Sequence, residues 1–144
     1  MENHEAETPT HAGLFLLRLG IGLIFLAHGI PKLMAGPELW ARLGMAMGNL
    51  GITFAPAFWG LMAALAEAGG GLLLVLGLGV RIAAGFLSFT MLVAVLMHVG
   101  KGDGFQVYSH ALSMLVVFVS LAATGGGRWA LGARWPALAG RWFQ

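Results

Sequence analysis

Six residues whose side chains can carry charge stand inside or at the ends of long apolar stretches: Arg18, His28, Lys32, Glu67, His98 and His110. An ionisable group in hydrocarbon is expensive and marks either a buried partner or a functional site. Two sets follow from their spacing. Glu67 lies at the middle of its apolar run, and Arg18 lies about 4–5 Å from the middle of another, taking 1.5 Å of rise per residue. That difference is short enough for an arginine to bridge, so the expectation is mutual pairing. The pair would act either as a clamp between helices or as a proton-relaying, quinone-contacting catalytic couple. The second set is histidine. His28, His98 and His110 each fall near the same end of three different runs, with Lys32 one turn beyond His28. Neutral imidazole ligates zinc, copper or iron, hydrogen-bonds polar headgroups and shuttles protons. The trio is therefore a candidate cofactor-binding site for a quinone headgroup, together with Lys32. It is equally a candidate metal site, or a set of interfacial side chains that only make hydrogen bonds. Met34, Met45, Met47 and Met97 lie toward the same end and would suit copper(I).

The elements that must carry these groups are transmembrane helices. Of 144 residues, 58% are hydrophobic and only 10% charged, whereas soluble domains are about 25% charged. Four runs approach the roughly 20 apolar residues that a membrane helix needs: Ala12–Pro31, Pro56–Leu78, Ile82–Val99 and Phe105–Thr124. The expected fold is all-α, a four-helix antiparallel transmembrane bundle over 12–124. A polar N-terminal tail (1–11) precedes it and an interfacial C-terminal tail (125–144) follows. The opening "MENHEAETPTH" is acidic, unlike the basic start of a signal peptide. Leu39, Trp40, Leu43, Met47 and Leu50 share one helical face, which predicts a short interfacial helix between spans one and two, lying over the bundle as a lid.

Within the bundle, Gly60, Ala64 and Ala68 followed by "GGG" (69–71) predict close helix packing. His110, Ser113, Ser120 and Thr124 make one polar stripe along the fourth run, expected to face the interior. Pro31 removes the amide that would bond the Ala27 carbonyl, loosening the first helix beside His28. Trp129, Trp135, Trp142 and Phe143 among arginines suit an anchor at the membrane surface.

Composition also excludes functions. With no cysteine there are no disulfides, no thiolate catalysis and no covalent haem. Redox work would need a bound cofactor or a partner. The arginines form no basic stripe, so nucleic acid is not an expected partner. Arg81, Arg128, Arg134 and Arg141 on the side of the termini outnumber Lys32, Arg42 and Lys101 on the other, which favours cytoplasmic termini in a bacterial-type inner membrane.

Three segments, "RLGIGLIFLAHGIPKL" (18–33), "EAGGGLLLVLGLGVR" (67–81) and "GGGRWAL" (125–131), together resemble the DoxX family of small four-helix membrane proteins. Arg18, His28, Gly29 and Lys32 match the family's span-one pattern. Glu67, Gly69 and Gly70 match its glutamate before glycines, and Gly77, Leu78 and Arg81 match its closing turn. Two positions depart: Ser113 stands where many relatives have glutamate, and Gly132 where an aspartate is often found. The family takes its name from a subunit of a thiosulfate:quinone oxidoreductase. The resemblance therefore implies an accessory membrane subunit exchanging electrons or protons with quinone, beside a catalytic partner or as a homo-oligomer. Metal handling, and scaffolding without any cofactor, are the alternatives.

Overall fold

The computed structural model describes residues 3–134, with side chains from Thr10 onward. Helix α1 spans Asn3–Met34, α2 Pro37–Gly44, α3 Pro56–Leu76, α4 Val80–Gly100, α5 Phe105–Thr124 and α6 Leu131–Arg134, with a 3-10 turn at Met45–Leu50. Four of these are long and apolar enough to cross a bilayer: α1 from Thr10, α3, α4 and α5. The expected four-helix bundle is thus present, with the short helix where the 39–50 pattern puts it. The first span is longer than its apolar run. It begins among the residues read as a tail and continues through Pro31 to Met34, where the Ala35 amide bonds the Pro31 carbonyl at 3.0 Å.

The bundle is held by complementary faces. Ile21 and Phe25 of α1, Leu74 of α3, Ala84, Leu87 and Met91 of α4, and Phe118 and Leu121 of α5 form one buried cluster. At its centre Phe25 and Phe118 meet edge to face, ring centroids 4.8 Å apart, a favoured geometry for two quadrupoles. Helix α1 packs chiefly on α3, α3 on α4, and α4 on α5. Glycines set how closely α1 and α3 approach: a Cβ at Gly29 would collide with the backbone of Glu67 and Ala68, and one at Gly71 would crowd the backbone of Gly22 and Leu26. Small residues serve this purpose in membranes, where packing rather than water exclusion drives association.

That contact fixes the vertical offset of α1. Beyond Gly29 the helix has five more residues, about 7 Å, whereas α3 runs twelve residues from Ala68 to its start, about 18 Å. Helix α2 fills the step. Its Gly44 abuts the Pro56 carbonyl and its Trp40 backbone lies against Gly60, both too close to admit a Cβ. The 3-10 turn completes the roof over α4, with Asn49 seated beside Gly100. Trp135, Trp142 and Phe143 of the expected anchor lie outside the described residues.

Candidate functional site: a buried ion pair beneath a helical roof

Arg18 and Glu67 are both buried, but they do not pair. Lys32 reaches down from the last turn of α1 and places its Nζ 2.7 and 2.6 Å from the two carboxylate oxygens of Glu67. The expected Arg18–Glu67 couple is therefore replaced by Lys32–Glu67, and Lys32 is engaged by Glu67 rather than by the histidines it was grouped with. The physical reason is the offset just described. Glu67 is at mid-height in α3, yet it lies beside Gly29, less than one turn from Lys32 on a helix that ends early. The Lys32 side chain keeps 29% exposure against 5% for that of Glu67, so the pair is open on the ammonium side only. Trp40 of α2 roofs it, donating its indole N–H to the Lys32 carbonyl at 2.8 Å. This carbonyl belongs to the last turn of α1, where intrahelical partners run out.

Arg18 satisfies a different need. At 1% exposure, its guanidinium donates to the carbonyls of Leu74 and Val75 at 2.9 and 2.8 Å and to that of Trp129 at 2.8 Å. Those first two carbonyls end α3, and lipid offers no water to take them. The arginine also lies 5.0 Å from the Phe15 ring centre, and Phe15 meets Trp129 edge to face at 5.8 Å. Gly77, left-handed at φ 70°, closes α3, and a Cβ there would strike the guanidinium and Ala130. Arg18 is thus a structural lock on the end of α3 and the following "GGGRWAL" segment, not a member of the Glu67 site.

The histidines share one end of the bundle but do not converge. His28 is exposed and bonds the Ile24 carbonyl of its own helix through Nδ1 at 2.9 Å. His98 bonds Asp103 from Nδ1 at 2.7 Å, within the turn that joins α4 to α5. His110 is exposed on α5. Among the described residues no three histidine, aspartate or glutamate side chains come together in a way that could hold a metal ion. The expected three-walled pocket of His28, Lys32, His98 and His110 is not assembled, because each imidazole is turned to its own helix, its own turn or the outside.

The polar stripe on α5 is turned outward as well. Ser113, Ser120 and Thr124 are exposed and donate to the carbonyls of Ser109, Val116 and Ser120 at 2.8 Å each. A hydroxyl that back-bonds four residues earlier needs no interior partner. The inward face of α5 is the apolar series Ala111, Met114, Leu115, Phe118, Leu121 and Ala122. Ser113 therefore brings no polar group toward Glu67.

Comparison with known proteins agrees with this architecture. Residues 13–100 match the DoxX family. The chain belongs to the DoxX family. It is also similar to an uncharacterized membrane protein of Mycobacterium tuberculosis, 32% identical over 146 residues that cover 90% of this chain and 83% of that one. No solved structure matches significantly. The DoxX match includes Arg18, Lys32 and Glu67 and stops at Gly100, before Asp103, His110 and the Trp129 segment. Sequence spacing revealed neither the Lys32–Glu67 pair nor the backbone carbonyls that hold Arg18. The signal for the pair was Gly29, which sets the height of α1 against α3.

Proposed function

We propose that this DoxX protein is a membrane subunit of a quinone-linked redox system, in which Lys32 and Glu67 bind and protonate the headgroup. The observation that carries it is the carboxylate held in mid-membrane by an ammonium that remains partly open. An ammonium has three donors, and two are taken by Glu67. The third suits a carbonyl oxygen arriving from the lipid side, which is what a quinone headgroup presents. A bound quinone would supply the two-electron acceptor, with electrons delivered by a catalytic partner, since the chain has no thiols of its own. Lys32 would then hold one headgroup oxygen and pass it a proton, regaining one from water at its open side. The second proton of the two-electron reduction would reach the other headgroup oxygen from water, while Glu67 fixes the ammonium in place and offsets its charge. In this scheme His98, oriented by Asp103, stands at the same end as an entry point for protons.

The test is quinone content of protein purified in mild detergent. Wild type is expected to retain quinone near one per chain. The Lys32→Met/Glu67→Leu double variant, which removes both charges together, is expected to fold and to lose it. Repeated lipid extracts without quinone from the wild type would overturn the proposal. A scaffold without any small molecule is the second reading, favoured by the internal pairing of Lys32, Glu67 and Arg18. It requires the same double variant to support full activity in the host.

A further inference from the structure

Helix α5 is the least covered of the four spans. Of its 20 residues only Phe118 and Leu121 are buried. Its uncovered face also differs in kind from the others. The outward sides of α1, α3 and α4 carry large apolar side chains, among them Leu16, Leu65, Leu72, Phe86 and Phe89, which suit acyl chains. On α5 the outward row is Gln106, His110, Ser113, Ser120 and Thr124, with the half-buried Val117 between them. Successive members of this row of six are four, three, four, three and four residues apart. That is the spacing of a seam between two helices crossing at a shallow left-handed angle. Depth adds a requirement. His110 is one and a half turns into α5, about 7–8 Å from its start, and a helix of this length is no longer than the hydrocarbon layer. An imidazole has too short a stem to reach water from there, and a polar group in hydrocarbon needs a partner. Neither His110 nor Gln106 has a side-chain hydrogen bond among the described residues. The hydroxyls of Ser113, Ser120 and Thr124 are bonded to their own helix. They need no partner, but they are short, and so let another backbone come close.

We propose that this face docks a second copy of the chain, α5 against α5 about a twofold axis along the membrane normal. Complementarity selects a second copy over another partner. Such an axis sets each residue of the row opposite its equivalent at the same depth. A neutral imidazole carries one donor and one acceptor, and a glutamine amide carries both kinds as well. His110 and Gln106 are therefore each able to bond their own copies. Helix α5 holds no aspartate, glutamate, lysine or arginine, so no charge on the face repels its equivalent. The inference does not depend on a bound quinone.

Cross-linking of the full-length chain tests this. Ser113→Cys or Ser120→Cys exchanges one oxygen for sulfur and puts the sole thiol of the chain on the seam. Oxidised with copper phenanthroline in native membranes, each is expected to give a disulfide-linked species of twice the chain mass. Two exposed positions serve as controls for random collision and should stay single. Val119→Cys lies on α5 but off the row, and Leu92→Cys lies as far from the roof end of α4 as Ser113 does from that of α5. In lipid vesicles, adding His110→Leu to Ser120→Cys should raise the dissociation constant of the pair about fivefold, read as cross-linking lost on dilution with lipid. That factor is the value of one interhelical hydrogen bond. If His110→Leu inserts poorly, the contrast between seam and control cysteines alone decides. The proposal is overturned if the seam cysteines cross-link no more than the controls, if their adduct in native membranes has any mass other than that of two chains, or if a well-inserted His110→Leu variant leaves the dissociation constant unchanged.

Discussion

Taken singly, a lysine or a glutamate at the depth of Glu67 would each have to give up hydration with nothing in return, a cost of several kcal/mol. Joined by two bonds of 2.6–2.7 Å, they become tolerable, and the dependence is mutual. Removing one partner leaves the other as an uncompensated charge. Lys32→Met and Glu67→Ala are therefore each expected to destabilise by about 3–5 kcal/mol, whereas Lys32→Met/Glu67→Leu should recover most of that loss. Melting temperatures of the four proteins in one detergent check this; additive losses in the double variant would mean the pair is not a unit. Gly29 belongs to the same residue-scale device. Because even a Cβ there meets the Glu67–Ala68 backbone, Gly29→Leu should push α1 away from α3 and reproduce the single-charge defect without touching either charge.

At the scale of the elements, two arginines act alike, each crossing from its own helix to take carbonyls at the C-terminal end of another. Arg18 closes α3 and Arg81 closes α5. A cation at a helix C-terminus also favours the macrodipole. Arg18→Lys is expected to recover less than half of the stability lost in Arg18→Met, because one ammonium cannot fork between α3 and the Trp129 carbonyl. This use of arginine explains what sequence spacing could and could not show. All four spans, the short helix after span one and the polar residues within the membrane were legible, since apolar runs and helical faces are sequence patterns. The partners of the charges were not, because two of the three carbonyls that hold Arg18 are ordinary leucine and valine backbone. Depth measured from the middle of each run also assumed that the spans start level, and α1 does not. The stripe on α5 misled for a related reason: a hydroxyl bonded to its own helix, as in Ser113, Ser120 and Thr124, carries no signal of which way it faces. Alanine at Ser113 or Ser120 should accordingly change stability by no more than about 0.5 kcal/mol.

For the whole molecule, charge at the span ends bears on how the chain is oriented in the membrane. Counted from sequence, four arginines at the end of the termini stand against Lys32, Arg42 and Lys101 at the roof. The bias that orients membrane proteins counts lysine and arginine near span ends and takes little account of carboxylates, so the expectation from four against three is cytoplasmic termini. The absence of cysteine makes the expectation directly measurable, since any introduced thiol is the sole label site. Lys101→Cys, exposed after α4, should react with a membrane-impermeant maleimide in intact cells; Arg134→Cys, exposed in α6, should react only after permeabilisation. The opposite pattern would place the Lys32–Glu67 opening on the cytoplasmic half, where a proton-entry role for His98, at the same end, would draw on the other compartment.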